Sequence, residues 1–422
     1  MAGPLSHIRV LDLSRIMAAP WSAQILADLG AEVIKVERPG SGDDTRAWGP
    51  PFLKDGEGRD TAEAGYYLAV NRGKRSITVA LDTPEGQQLI RQLAQRADIL
   101  VENYKVGTLA KYGLDYDSLK VLNPRLIYCS VTGFGQSGPK ASHAAYDFLI
   151  QAMGGLMSVT GERDDRPGGG PQKVGVPITD IMTGMYATIS VLAALARRDH
   201  AAAGVPAGAH PGEHLGEHLG EHIDIGMLDV QVGFLANQAM NYLVSGRVPQ
   251  RSGNAHPNIQ PQNVYPCRDG QLVIVVGNDS QFEKFCAAIG QPQLAQDERF
   301  ATNPQRVRHL AALDPLIIAA LARHDRAHWV DCLEAVGVSC GPINSVAEAL
   351  AHPQVQHRGM LRQIPHPTAG SVPQVVSPMQ FREAPLAFDR APPLLGQHTE
   401  EILAELGYDA AGIAALRAAG AL

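Results

Sequence analysis

Asp180 is the residue best placed to do chemistry. It follows Gly175-Val176-Pro177-Ile178-Thr179 and opens a run of small and apolar residues with helical spacing. Thr179 or Asp180 can cap that helix through its free N–H groups. A carboxylate held where a loop meets a helix start is also a common ligand position in open α/β sheets. There it can serve as a nucleophile toward an activated electrophile such as a thioester. From the residues alone, cap and nucleophile both stand.

Basic and glycine-rich pieces accompany it. Arg38 begins the turn Arg38-Pro39-Gly40-Ser41-Gly42-Asp43, just after an apolar strand pattern, and Arg72, Lys74 and Arg75 form a tight basic run. Each group is either a solvated turn or a clamp for phosphates or a carboxylate through charge-assisted bonds. No GxGxxG follows the first strand pattern and no GxxxxGK[ST] occurs, so the usual nucleotide signatures are missing. A further glycine-rich turn runs from Gly133 to Pro139. His214, His218 and His222 would share a helix face and suggest a metal, but Gly212, Gly216 and Gly220 make a poor helix. The repeated GEHL unit reads as linker, and no metal is expected. Cys129, in a strand pattern without a base beside it, reads as a buried structural thiol.

These residues need elements to hold them. Strand patterns over 8–13, 31–36, 76–81, 99–102, 126–130 and 223–225 alternate with helical patterns over 18–29, 83–96 and 180–196. Thr83 is a candidate cap, with Pro84 at the first helical position. Such alternation implies parallel strands joined by right-handed crossovers, a doubly wound α/β domain. Helices are also expected over 146–156, 228–243, 280–289 and 315–335, the last with Asp314 as cap, and a strand over 272–276. The expected organisation is a large domain over 1–200, a linker over 201–224, a smaller α/β domain over 225–330 and a C-terminal segment over 331–422 that returns to the large domain.

Global composition sets outer limits. With 422 residues, 45% of them hydrophobic, the chain can bury a large core and needs no disulfide or metal staple. The net charge of -7 disfavours nucleic acid as a partner. The five scattered cysteines form no CxxC pair, which fits a reducing cytoplasm. No signal-peptide pattern opens the chain, and no uninterrupted apolar run approaches the ~18 residues of a membrane span.

Taken together, the motifs resemble the family III coenzyme A transferases, the CaiB/BaiF type. The resemblance runs through Val10-Leu11-Asp12-Leu13-Ser14-Arg15, residues 26–46, Asn71 to Ile77, Val101-Glu102-Asn103-Tyr104, Gly133 to Pro139, Gly175 to Gly184, Gly337 to Asn344 and Ala391 to Thr399. It implies a Rossmann-like large domain carrying the CoA site, in an interlocked homodimer. It implies Asp180 as the catalytic aspartate, Arg38 as a contact to the CoA phosphate or adenine region, and Lys111 as a basic residue facing CoA. Asn103 and Tyr104 match the segment lining the CoA groove. Tyr146 and Asp147 match the stretch entering the helix beside the active site, with Tyr146 expected at the substrate. A CoA thioester is then a substrate, with no permanently bound cofactor.

The stretch Gly42 to Phe52, Asn254-Ala255-His256 and Pro261 to Pro266 resemble enzymes that move CoA from succinyl-CoA to glutarate or hydroxymethylglutarate. A diacid acceptor needs a cation for its remote carboxylate, and Arg46, Arg72 and Arg251 are candidates by charge. Arg72, Lys74 and Arg75 are further candidates for CoA. Departures from the family pattern, Met17, Ala19 and His143-Ala144-Ala145, speak against oxalate as substrate. A racemase of the same fold would need an acid/base partner, and the 128–134 stretch holds no histidine. A non-catalytic CoA-binding protein would not need the carboxylate of Asp180.

Overall fold

The structure is a computed structural model and describes residues 3–202 and 219–422. Most of the GEHL repeat, with His214 and His218, lies outside the described residues. The chain divides into two compact units. The first contains Met1–Leu156, Val174–Ala236 and Gln356–Leu422; the second contains Met157–Lys173 and Asn237–Val355. These bounds differ from the expected ones. Residues 331–355 stay with the second unit, and only the chain from Gln356 onward belongs to the first.

Six parallel strands build the first unit: β1 (Arg9–Asp12), β2 (Glu32–Glu37), β3 (Lys74–Thr78), β4 (Ile99–Glu102), β5 (Ile127–Thr132) and β6 (Glu221–Gly226). Their spatial order is β3-β2-β1-β4-β5-β6, which is the Rossmann order. Leu11 pairs with Ile34 on one side and Leu100 on the other, and Cys129 pairs with Val101 and Ile223.

Strand alternation feeds two cores, one on each face. Leu11, Ile77, Leu100 and Tyr128 join Leu89, Ile90 and Leu93 of the Pro84–Arg96 helix, together with Ile402 and Leu403 near the C-terminus. Val10, Val33, Val101, Cys129 and Val131 face the other way, toward Ala19, Ala23, Ala187, Val191 and Leu195. Each fully buried Leu, Ile or Val contributes about 1.5–3 kcal/mol by leaving water. Thr83 caps its helix as expected, accepting a hydrogen bond from the Gly86 N–H.

The second face positions the site. The Ala18–Asp28 helix and the Ile178–Ala202 helix pack on it through small residues. A Cβ at Gly184 would come within 2.4 Å of the Ala18 carbonyl oxygen, so only glycine allows this approach. Thr188 Oγ1 and Ser22 Oγ lie 3.0 Å apart across the contact. Ile178–His200 is long and apolar enough to cross a membrane by composition. Here Ala187, Val191 and Leu195 pack against the sheet as in a core helix.

The second unit has a three-stranded antiparallel sheet of Gln262–Cys267, Gly270–Val275 and Ser339–Pro342, covered by helices. Phe282, Phe285, Phe300, Trp329 and Leu333 fill its core. The helix expected over 315–335 is two helices, Leu310–Leu321 and Arg326–Ala335. Asp314 lies inside the first and is no cap; it accepts a hydrogen bond from the Tyr265 hydroxyl at 3.0 Å. The helix expected over 228–243 also breaks, into Met227–Gly233 and Ala236–Ser245.

Candidate active site

Asp180 sits on the first turn of the Ile178–Ala202 helix and is buried. Asp147, first residue of the Asp147–Met153 helix, faces that turn. Its Oδ1 accepts the N–H of Thr179 at 2.8 Å and the N–H of Asp180 at 3.2 Å. Thr179 Oγ1 donates to Gln231 Oε1 at 2.6 Å, which fixes the turn from a third helix, Met227–Gly233. Burial, and then the Asp147 charge, push the Asp180 carboxyl up to about 7.

Asp180 borders a cavity of about 200 Å³ together with Met17, Asn103, Tyr104 and Tyr146. Arg15 and Lys105 supply positive charge to its lining. Gly133 belongs to the same wall; a Cβ there would meet the Ala145 Cβ at 2.4 Å, so glycine lets the turn after β5 close on this segment. A second cavity, of about 330 Å³, adjoins it. Arg15 and Tyr104 line both, and Arg38, Lys35 and Tyr112 line the second. Both lie at the carboxyl ends of the strands, beside the neighbouring strands β1 and β4, where the strand order reverses, the position open α/β sheets use for ligands.

The loop after β1 is held in place by buried charge. Lys35 Nζ donates to the Ser14 carbonyl and to Asp43 Oδ2, each at 2.9 Å, and Asp43 Oδ1 accepts the Ile16 N–H at 3.2 Å. Burial raises the Asp43 carboxyl, but Lys35 and the Thr45 donors outweigh it and hold it down at about 2. Ile16 is left-handed at φ 74°, a costly conformation for a β-branched residue, and the Asp43 bond holds it there. Asn103 clamps the neighbouring peptide, accepting from the Arg15 N–H at 2.9 Å and donating to its carbonyl at 2.6 Å. The Arg15 guanidinium lies over the Tyr104 ring, 5.5 Å from its centre.

The structure thus brings Asp180, Tyr146, Asn103 and Tyr104 to one cavity and Arg38 to the adjoining one. Arg38 is exposed just beyond β2 and makes no ion pair among the described residues. Lys111 is exposed on the Leu109–Tyr112 turn, whose Tyr112 lines the second cavity.

Other candidates are committed elsewhere. Arg72 pairs with Asp28 at 2.7 Å and also donates to Gln374 and the Val375 carbonyl. Lys74 is fully buried, with Asp12, Asn71 and the Pro20 carbonyl as acceptors; burial outweighs Asp12 and lowers it to about 8. Arg75 is held by Glu32, Glu401 and Glu405. Arg46 is buried against Glu37, Glu63, the Tyr67 hydroxyl and the Pro393 carbonyl. Arg251 belongs to the second unit, where it pairs with Asp164 and donates to the Glu162 carbonyl. None of these five lines the Asp180 cavity or the adjoining one, and in this structure their donors are turned to acceptors of the protein itself.

Sequence reasoning missed Tyr66 and Gln231. Burial, and then the charges of Asp180 and Asp147, push the Tyr66 phenol up to about 12, so it lies within electrostatic reach of both carboxylates. Its place on the short Gly65–Leu68 helix carries no sequence signal that would have found it.

Comparison with known proteins agrees with this geometry. A family model described as CoA-transferase family III matches residues 5–399. A succinate–glutarate CoA-transferase of Agrobacterium fabrum is 49% identical over 403 residues, 96% of each chain. A human succinyl-CoA:glutarate CoA-transferase is 38% identical over 99% of this chain and 89% of its own. The crystal structure of a CaiB/BaiF family protein from Brucella suis superimposes with a TM-score of 0.80 at 47% identity, covering 96% of this chain and all of that one. A Rossmann sheet, a buried aspartate at its carboxyl edge and a match along nearly the whole chain converge: the protein belongs to the family III CoA-transferases.

Proposed function

We propose that this enzyme transfers CoA from succinyl-CoA to glutarate through covalent intermediates on Asp180. The observation that carries the reading is the buried Asp180 carboxyl on a helix start, beside the Arg15–Met17 loop, in a chain 49% identical to a succinate–glutarate CoA-transferase. The carboxylate attacks the thioester carbonyl, and CoA leaves as thiolate, giving a mixed anhydride. The thiolate then attacks the aspartyl carbonyl, releasing succinate and leaving an aspartyl–CoA thioester. A glutarate carboxylate attacks that carbonyl and expels the thiolate, forming a second anhydride. Attack of the thiolate on the glutaryl carbonyl yields glutaryl-CoA and regenerates the aspartate. Atoms and charge balance without a metal or redox partner.

The adjoining cavity with Arg38 suits the polyanionic end of CoA. Arg38→Ala is expected to raise KM for succinyl-CoA about 10- to 100-fold, with kcat and the unfolding midpoint little changed, because an exposed arginine supplies binding and no core contacts. Steady-state kinetics with varied succinyl-CoA check it. Incubation with succinyl-CoA and a panel of diacids tests the reaction as a whole: glutaryl-CoA should form fastest, and faster oxalate or mesaconate transfer would reassign the acceptor.

A homodimer completes this reading. Phe148, Leu149 and Met153 on one helix and Met185, Tyr186 and Ile189 on the helix it packs against are all exposed apolar residues. A patch of this kind marks an interaction face. Sedimentation is expected to report twice the chain mass; a monomer at micromolar concentration would reject the dimer.

A further inference from the structure

Two carboxylates share the helix start at which the reaction is placed, and the proposed mechanism uses only one of them. The first N–H groups of a helix ordinarily solvate an anion nearby. Here Asp147 Oδ1 takes those of Thr179 and Asp180, at 2.8 and 3.2 Å. Asp147 Oδ2 accepts from Gln151 Nε2 at 2.6 Å, and Gln151 Oε1 in turn accepts the Val174 N–H at 2.9 Å. The Asp147 carboxylate thus holds three donors. The carboxyl oxygens of Asp180 accept no hydrogen bond among the described residues.

Other groups do not offset this asymmetry. Burial, and then the charges of the two carboxylates, push the Tyr66 phenol on the Gly65–Leu68 helix up to about 12, so it adds no positive charge. Arg15, Lys105 and His143 line the Asp180 cavity without bonding to Asp180. Arg15 is already paired with Asp44 at 3.0 Å.

We propose that Asp147 is a positioning residue that tunes the nucleophile: it takes the donors of the helix start away from Asp180 and places a negative charge beside it. This rests on the reading of Asp180 as the nucleophile. When Asp180 becomes an anhydride or a thioester it loses its charge, and repulsion from Asp147 is relieved. Repulsion present in the free carboxylate and absent from the adduct favours acylation over resting enzyme. The neighbour also keeps the carboxylate basic, which favours attack on a thioester carbonyl.

The test follows exchange of labelled succinate into succinyl-CoA, a half-reaction that needs no glutarate, across pH. Wild type should lose rate below about pH 7, as Asp180 protonates. Asp147→Asn keeps the shape and an oxygen for the Thr179 N–H but removes the charge. It is expected to move the acid limb down by about one pH unit or more and to lower the plateau about tenfold, with KM for succinyl-CoA within about twofold. Asp147→Ser, an ordinary helix-capping residue without charge, should move the limb the same way and serves if the amide unfolds the protein. Asp147→Glu retains the charge and should keep the limb near its wild-type place. An unmoved limb in folded Asp147→Asn or Asp147→Ser, or an effect confined to KM, overturns the proposal. Its failure is distinct from that of the mechanism, which would show as no exchange in wild type or as full exchange in Asp180→Asn.

Discussion

Replacing Asp180 with asparagine is expected to lower CoA transfer by at least about 10³-fold and, at the same time, to make the protein more stable. The loss follows from removing the only group proposed to carry the acyl and CoA moieties. The gain follows from linkage. Asp180 titrates at about 7 when folded, against 3.8 for the free side chain. Between those values the folded chain binds more protons than the unfolded one, so stability falls as pH rises from about 4 to 7. Above pH 7 the buried anion costs up to about 4 kcal/mol, an upper bound from about three pKa units. Asparagine removes that cost, so urea midpoints should rise most at pH 8 and little at pH 4. A structural cap would behave the other way, with transfer retained and stability lost. Stability given up at a catalytic group is a common trade in enzymes.

Arg46→Met should have the opposite profile. Arg46 lies between Glu37 and Glu63, with nitrogen–oxygen distances of 2.7 and 2.9 Å, and its ring contact with Tyr67 is at 3.7 Å. Burial raises the Glu37 carboxyl, but Arg46, Lys35 and Ser76 outweigh it and lower it; the Glu63 carboxyl stays raised. Removing the guanidinium strands two carboxylates inside the protein, which costs about 3–5 kcal/mol. A denaturation curve at pH 7 should show that loss, while KM for glutarate in the folded enzyme stays within about twofold. An unchanged midpoint with a tenfold higher KM would return Arg46 to the acceptor's remote carboxylate.

The contrast between these residues shows how far sequence reading reaches. The sheet was legible because its central strands carry apolar residues on both faces, and Val10 and Leu11 send side chains to opposite cores. Asp180 was legible because a helix start after Pro177 is a local pattern, and Arg38 because it directly follows a strand. The fate of Arg72, Lys74 and Arg75 was not. Their partners Asp28, Asp12 and Glu32 come from elements some 40 to 60 positions earlier, brought alongside only when parallel crossovers fold. A buried charge ladder and an exposed phosphate clamp have the same residue pattern. Asp147 marked the right segment, but its bonds to Thr179 and Asp180 join two helices and leave no periodic trace. In the second unit the helix expected over 315–335 breaks at residues 322–325, where a tight turn separates two helices.

Covalent catalysis at Asp180 is tested most directly by trapping the intermediate. The enzyme would be incubated with succinyl-CoA and hydroxylamine, digested, and its peptides sequenced by mass spectrometry. A hydroxamate is expected at Asp180, dependent on succinyl-CoA and missing from Asp180→Asn. A hydroxamate at another carboxylate, or undiminished glutaryl-CoA formation by Asp180→Asn, would contradict it.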